Sequence, residues 1–430
     1  VAKAHTRRAA GAEDAGAAPE AARPGGAPRV MPGADQTDRA ALTALPDRAD
    51  QTDRAALEHL DRLPAVRECG EILVIDDVTG ALTATGLETG RVVAWQTSRR
   101  AAEALAERFP QAIEAGRLVV AGLDPVGPVP LEEVAWASTA ETALVRLPKA
   151  LLALDHRARA LARAAAARDI GFSLLASGRV KHMTRRQNEV LAAAFTQVEA
   201  QRGVGKSRAL LATGPRKDLE QPPVMAGQAQ VTVRGAAETI PLCGVGGVFG
   251  GAAADAGSLL LLASLDEVVR GGELDAVETA GDLGCGNGLL TAYLLRALPQ
   301  ARVVAADDDA DAIDSTGRTL ESVWRPEFRD RVELRWEPSF RGVPDQSLDL
   351  VLLNPPFHDG PGVDPTLVQG LLDAAARVLR PGGRLWMVHN SHLRYRPEVE
   401  RRVGPVRQRV RDRRFTVLEA VSRPGPAAQR

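Results

Sequence analysis

The sequence predicts an α/β protein made of two consecutive units, each a mainly parallel sheet flanked by helices. Three observations predict it. Short segments rich in Val, Ile and Leu alternate with stretches whose apolar residues recur at helical spacing, the pattern left by strand–helix–strand crossovers. The alternation runs from Glu71 to Ala167, breaks off across a Pro- and Gly-rich stretch between Thr213 and Gly227, and resumes at Asp275. A chain of 430 residues also has room for two or three domains of ordinary size.

Taken in order, residues 1 to about 55 are dominated by Ala, Gly, Pro and Arg without hydrophobic periodicity, and a disordered tail is expected there. This stretch contains a direct repeat, DQTDRAAL from Asp35 to Leu42 and again from Asp50 to Leu57. Two copies fall short of the three stacked units a solenoid needs, so the second copy is expected only to open the first helix. The first unit, expected over residues 56–225, reads as strand and turn (EILVIDDVTGAL), strand (RVVAWQ), helix (SRRAAEALAERF), strands (RLVVAGL, ALVRLP) and a long amphipathic helix ending at Ala167. The second unit, expected over 226–430, opens with DAVETAGDLGCGNG as strand and turn and LLTAYLLRAL as helix. It continues with strand ARVVAAD, helix DADAIDSTGRTLESV, strands RVELRW and LDLVLLN, and helix TLVQGLLDAAARVL. RPGG follows, with Gly382 expected to cap that helix, and RLWMVHN and RFTVLEAVSR close the pattern as strands.

Composition narrows the function classes. Apolar residues make up 45% and charged residues 25%, with a formal net charge of −1, so a nucleic-acid partner would have to be met by local patches. The apolar run around Leu259–Leu262 is far too short to span a bilayer, and the first twenty residues carry no apolar signal region. Cys69, Cys243 and Cys285 form no CxxC, and the seven histidines show no HxH or HxxxH spacing. A cytoplasmic protein without membrane contact, disulfide framework or metal site is the expectation, with the oligomeric state open and a monomer the simplest case.

Two motifs carry chemistry. Asp282-Leu283-Gly284-Cys285-Gly286-Asn287-Gly288 follows a strand and opens a helix, and alternate glycines let the backbone turn tightly and pass close to a ligand. The spacing D-x-G-x-G-x-G differs from the dinucleotide fingerprint and resembles the S-adenosylmethionine loop of class I methyltransferases. Asp307, about twenty residues on at the end of the next strand, is placed to accept hydrogen bonds from two ribose hydroxyls. The second motif, Asn354-Pro355-Pro356-Phe357, leaves the strand LDLVLL, and strand carboxyl ends are where open α/β sheets bind ligands. The motif resembles the signature of methyltransferases acting on amines conjugated to a planar ring or carbonyl, and such an amine has a delocalised lone pair and is a poor nucleophile. The Asn354 side-chain carbonyl and the Pro355 main-chain carbonyl can each accept one N–H, holding the nitrogen in line for attack, while Phe357 offers a face for stacking. His358 and Asp359 follow and shape the same loop. By contrast, Gly203-Val204-Gly205-Lys206-Ser207 only mimics the end of a phosphate-binding loop, since Ala200 replaces the required glycine and a helix precedes it.

These residues resemble the bacterial ribosomal RNA guanine-N2 methyltransferases. The likeness includes Gly247-Val248-Phe249, Asp255-Ala256-Gly257-Ser258, the loop at 282–288, Asp307, Asn354 to Gly360, and His389 to Tyr395. It implies two tandem Rossmann-like class I methyltransferase domains, the first degenerate: Asp76-Asp77-Val78-Thr79-Gly80 stands where the cofactor loop would be, and Arg146-Leu147-Pro148-Lys149 where NPPF would be. Leu147-Pro148-Lys149 and the helix behind it look most like the large-subunit branch. The implied cofactor is S-adenosylmethionine, held by Asp282, Gly284, Cys285, Gly286, Asn287, Gly288, Asp307 and Glu337; Asn354, Pro355, Pro356 and Phe357 would serve catalysis. Glu337 stands where the family often has Asn or Asp at the adenine edge, and Gly250 where it has Ser.

The implied partner is ribosomal RNA or a ribosomal subunit. Nine Lys or Arg against two Glu between Arg179 and Lys217, and nine Arg against three acids between Arg394 and Arg414, suit phosphate contacts. The first unit is then expected to hold RNA and the second to do the chemistry. Two other functions fit parts of the pattern: methylation of a protein glutamine or small-molecule amine, and a non-catalytic RNA-binding assembly module.

Overall fold

The computed structural model describes residues 49–60, 63, 70–123, 127–323, 330–355 and 365–423. The second repeat copy forms α1 (Gln51–Leu57), fixed by a capping box in which Asp50 accepts from the main chain of Thr52 and Asp53. The first copy lies outside the described residues. The first unit continues with β1 (Glu71–Ile75), α2 (Ala81–Thr89), β2 (Arg91–Trp95), α3 (Arg99–Arg108), α4 (Pro110–Glu114) and β3 (Leu118–Val120). Then follow α5 (Leu131–Ala137), β4 (Thr142–Arg146), α6 (Leu151–Ala167), β5 (Ser173–Arg179), α7 (Arg185–Ala194), β6 (Phe195–Ala200) and β7 (Ser207–Pro215). Its seven strands lie in the order β3-β2-β1-β4-β5-β7-β6.

A two-stranded hairpin, β8 (Met225–Val233) with β9 (Ala236–Gly244), leads into the second unit. That unit holds α8 (Ala256–Arg270), β10 (Thr279–Leu283), α9 (Leu289–Ala297), β11 (Arg302–Asp307), α10 (Ala310–Ser322), β12 (Val332–Trp336) and β13 (Leu348–Leu353). It ends with α11 (Pro365–Val378), β14 (Leu379–Asn390), α12 (Arg396–Arg402), β15 (Val406–Arg411) and β16 (Phe415–Val421). The second sheet runs β12-β11-β10-β13-β14-β16-β15, the same path as the first. In both, the central strands are parallel and the last two antiparallel.

Register makes the correspondence specific. Ile75 of β1 lies opposite Trp95 and Val145, and Leu283 of β10 lies opposite Ala306 and Leu353. One residue further along in each unit, Gln96 therefore corresponds to Asp307 and Arg146 to Asn354. Gly80 and Gly288 match too, each at the N-cap of the next helix with a left-handed φ of 78° and 82°.

The two units dock through equivalent loops. Arg99 N–H donates to the Asp308 carbonyl and Ala310 N–H to the Thr97 carbonyl, both at 2.8 Å, around an antiparallel bridge between Ser98 and Asp309. Trp336 lies against this seam with its Nε1–H on the Asp308 carbonyl at 2.9 Å and the Arg99 guanidinium over its ring at 5.3 Å. The buried apolar cluster of the first unit continues across it through Cys285, Ala305, Ala310, Ile313 and Trp336.

Three sequence expectations change. α11 stops at Val378 and Gly382 does not cap it: Gly382 lies inside β14 with φ 82°, its N–H on the Ser422 carbonyl, in a bulge opposite Leu348–Leu350. The Pro- and Gly-rich stretch is partly strand, since β7 runs to Pro215 and β8 begins at Met225. The folded part is already under way at Ala49, which is buried, a few residues before the edge near 55 that composition suggested. The Gly203–Ser207 decoy is the hairpin turn between β6 and β7, closed by a bridge between Val204 and Ser207.

Candidate active site

A cavity of about 400 Å³ opens at the carboxyl ends of β10 to β13. Its floor is the loop after β10. Gly284, Gly286 and Gly288 all take positive φ (89°, 53° and 82°), which side chains with a Cβ resist. A Cβ on Gly288 would also sit 3.0 Å from Thr316 Cα, whereas the space over Gly284 and Gly286 is open, a cradle for a ligand. Asn287 turns its amide to the carbonyls of Gly251 and Ala253 at 3.0 Å each and so staples the neighbouring loop against the cradle. Cys285 lines the cavity, and burial pushes its thiol well above the usual range, which makes it a space-filling residue rather than a nucleophile.

Two carboxylates support this floor differently. Asp307 lines the cavity; its Oδ2 accepts from Gly286 N–H and its Oδ1 from Asp309 N–H, both at 3.0 Å. Each oxygen keeps a further lone pair for a ligand hydroxyl. Asp282 is fully buried beneath the loop and accepts from Thr291 Oγ1 at 2.6 Å; burial raises it to about 7. Its side chain is not among those lining the cavity, so it props the loop instead of meeting a ligand. At the far side Glu337 lines the cavity, its Oε2 held by Gly342 N–H at 2.8 Å; its buried Oε1 lies 3.8 Å from the Arg335 guanidinium and has no hydrogen-bond partner among the described residues. A buried acceptor left open in this way suits an amine donor from a ligand.

Asn354 leaves β13 and lines the cavity opposite the glycine loop. Its Nδ2 donates to Asp255 Oδ2 at 3.0 Å and to Ser258 Oγ at 2.8 Å. Turning the amide over would set its oxygen against the Asp255 carboxylate, so the network fixes which end is which and leaves Oδ1 as an acceptor with no donor among the described residues. Asp255 is itself fixed as the N-cap of α8, accepting from Ser258 N–H at 2.9 Å. Pro355 is buried beside Asn354 and is not among the residues lining the cavity; Pro356, Phe357, His358 and Asp359 lie outside the described residues.

Sequence reasoning thus located the loop, Asp307, Glu337 and Asn354 on one cavity. It missed the function of Asp255 and Ser258, whose D-x-x-S spacing is an N-cap signal. It named Phe249, 56% exposed on the cavity wall, without giving it a role, and it missed the contribution of Thr97, Ser98 and Arg100 from the first unit. Among the described residues no cluster of His, Cys, Asp or Glu is arranged to hold a metal ion, and no helix is long and apolar enough to cross a membrane.

Comparison with known proteins agrees with this geometry. Residues 239–419 match the methyltransferase small domain, and residues 36–216 match the RLMG N-terminal domain. The ribosomal RNA large subunit methyltransferase G of Streptomyces coelicolor is 31% identical over 356 residues, spanning 82% of this chain and 88% of that protein. The chain belongs to the large subunit methyltransferase G family. The Pseudomonas entomophila member is 29% identical across 84% of this chain and 90% of its own length. Among solved structures, the T. thermophilus 16S rRNA N2 guanine methyltransferase RsmC, in complex with AdoMet and guanosine, superposes with a TM-score of 0.65 at 25% identity, covering 86% of this chain and 92% of that one. This family member is an S-adenosylmethionine-dependent methyltransferase with the class I α/β fold. The open glycine cradle, the paired lone pairs of Asp307 and the Glu337 Oε1, which takes no hydrogen bond among the described residues, fit that cofactor's methionine, ribose and adenine ends in turn.

Proposed function

We propose that the enzyme methylates the exocyclic N2 amine of a guanine in large-subunit ribosomal RNA, in the cytoplasm. One observation carries the reading: Asn354 is braced by Asp255 and Ser258 so that a single carbonyl oxygen stands ready at the cavity. The cofactor supplies an electrophilic methyl carbon on a sulfonium. The protein's part is to aim the amine: Asn354 Oδ1 and the Pro355 carbonyl each accept one N–H, which fixes the nitrogen in line and disperses the positive charge growing on it. A guanine must leave its stack to reach this depth, and Phe249 on the cavity wall offers an aromatic face to receive it. The solved relative named above, crystallised with AdoMet and guanosine, supports the same pairing of ligands.

The first unit, in this reading, is a methyltransferase-like domain without a cofactor site, and the catalytic domain begins near residue 226. Val74 takes the place of Asp282, Gln96 that of Asp307 and Arg146 that of Asn354. Arg146 donates to Asp50 and Asp53 just as Asn354 donates to Asp255 and Ser258, which closes the equivalent corner with an ion pair. RNA holding falls to this unit. Arg179, Lys181, Arg185, Arg186, Arg202, Lys206 and Arg208 are exposed and make no ion pair among the described residues. In the other basic stretch, Arg401, Arg402 and Arg409 are engaged by Glu398, Asp373 and Glu419.

Mass mapping of methylated guanines in ribosomal RNA from cells with and without the gene tests the assignment. One N2-methylguanine of the large-subunit RNA should disappear in the deletion and return on complementation. Unchanged large-subunit RNA, or a lost mark on another atom, would overturn it.

A further inference from the structure

We propose that the first unit furnishes one wall of the cofactor site, with Ser98 and Arg100 as positioning residues for the carboxylate turn that holds the nucleoside end of S-adenosylmethionine. The proposal rests on Asp307 being the ribose ligand. Thr97 and Ser98, between β2 and α3, and Arg100, in the first turn of α3, line the same cavity as Asp307 and Asn354.

The Asp308 carboxylate, next in sequence to Asp307 and also on the cavity, is held from across the seam. Its Oδ2 accepts from Ser98 Oγ at 2.6 Å; its Oδ1 accepts from Arg100 N–H at 3.0 Å and lies 3.5 Å from Arg100 Nε. Main-chain bonds on either side, Arg99 to Asp308 and Ala310 to Thr97, clamp the same turn. The direction of Asp308, and with it the turn from Asp307 to Asp309, is therefore set by residues that the catalytic sheet does not contain.

Electrostatics explains why such a brace is needed. Five carboxylates line the cavity, those of Asp255, Asp307, Asp308, Asp309 and Glu337, against one cation, Arg100. Acid-rich walls suit a ligand bearing a sulfonium, yet Asp307 and Asp308 ionised side by side repel each other. Ser98 and Arg100 draw Asp308 toward the first unit and leave Asp307 facing the ribose. Because the turn is shared, cofactor binding and docking of the two units are linked, and each strengthens the other.

Calorimetric titration of S-adenosylmethionine into the full-length chain tests this with four variants. Ser98→Ala and Arg100→Ala should each weaken binding about tenfold, the loss of one charge-assisted contact, while Ser98→Thr, which keeps the hydroxyl, should stay within about twofold. In steady state the effect should fall on KM for the cofactor rather than on kcat. Arg100 is half exposed and Arg100→Ala keeps the main-chain seam, so its ligand-free melting temperature should barely move, whereas Ser98→Ala also removes the N-cap of α3 and should melt lower, a loss that Ser98→Thr avoids. Asp307→Ala separates the two ways of failing. If it weakens binding and the Ser98 and Arg100 variants do not, or if their loss appears in kcat alone, the shared wall is overturned. If Asp307→Ala binds like the parent, the placement of the cofactor itself is wrong, and this proposal falls with it.

Discussion

Asn354→Ala should lower turnover by about 10²–10³-fold, the usual effect of deleting one preorganised group that meets charge in a transition state, with cofactor affinity within about threefold of the parent. The reasoning is geometric. At the end of β13 the Asn354 carbonyl is held toward the cavity by two donations from its own amide. Alanine removes the acceptor and leaves Asp255 and Ser258 with each other, so the N-cap of α8 survives and the fold should too. Asp255→Ala should reach part of the same loss, because Asn354 would then be free to turn its amide. Single-turnover methylation at saturating cofactor, beside a cofactor titration, separates chemistry from binding. Equal loss of both would mean that Asn354 belongs to the cofactor site and not to the amine.

The second large effect is on binding. Asp307→Ala removes two charge-assisted hydrogen bonds to the ribose, each of about 1.5–3 kcal/mol, and should weaken S-adenosylmethionine by at least about 10²-fold. It also frees the Gly286 N–H, so part of the loss comes from the loop itself. The effect depends on pH with a definite sign. Burial, helped by the neighbouring Asp308 charge, raises the Asp307 carboxyl above the ordinary aspartate value. A neutral carboxyl is the weaker acceptor. Affinity is therefore full above that raised pKa and declines as pH falls through it, beginning at a higher pH than an unperturbed aspartate would allow. Asp307→Asn should flatten the acid side of the profile. A parent profile already flat between neutral and mildly acid pH would contradict the assignment.

The strands and glycine turns that build the floor of this site could be read from sequence because their determinants are local. Val-rich runs ending in Asp307 and Asn354 declare both the parallel strands and the carboxyl ends where ligands bind, and D-x-G-x-G-x-G declares the turn between them. What escaped is what other parts of the chain decide. β15, with the pattern VRQRVR, carries too few apolar residues to stand out, and it is a strand because β16 lies beside it at the sheet edge. The β8–β9 hairpin alternates as a half-buried strand pair should, but its first residues, Met225 to Gly227, fall at the end of a stretch whose prolines and glycines suggest a linker. Gly382 shows the limit most clearly: sequence signals that a residue with φ > 0 is required, and only the sheet partner says that a bulge, not a helix end, requires it. The bracing of Asn354 crosses 96 to 99 residues, and that of Asp308 crosses 208 to 210, distances over which no spacing rule operates.

The repeated sheet order gives these long-range contacts a common logic. Corresponding corners of the two sheets hold Asn354 on Asp255 and Ser258 in one case, and Arg146 on Asp50 and Asp53 in the other. The first leaves a polar acceptor at an open cavity; the second neutralises charge within the protein. Arg in place of Asn at the strand end, with Asp53 in place of Ser258, closes the first corner with ion pairs, while the strand order beneath is the same.

The central claim is that two carbonyl oxygens aim the guanine N2 amine, and nothing else on the base, at the methyl carbon. Methyl transfer to an RNA fragment carrying the target guanine, against the same fragment with inosine at that position, tests it most directly, since inosine lacks only that amine. The fragment with guanine should be methylated, and the inosine fragment should remain unmethylated even though it binds. Methylation of the inosine fragment would contradict the account.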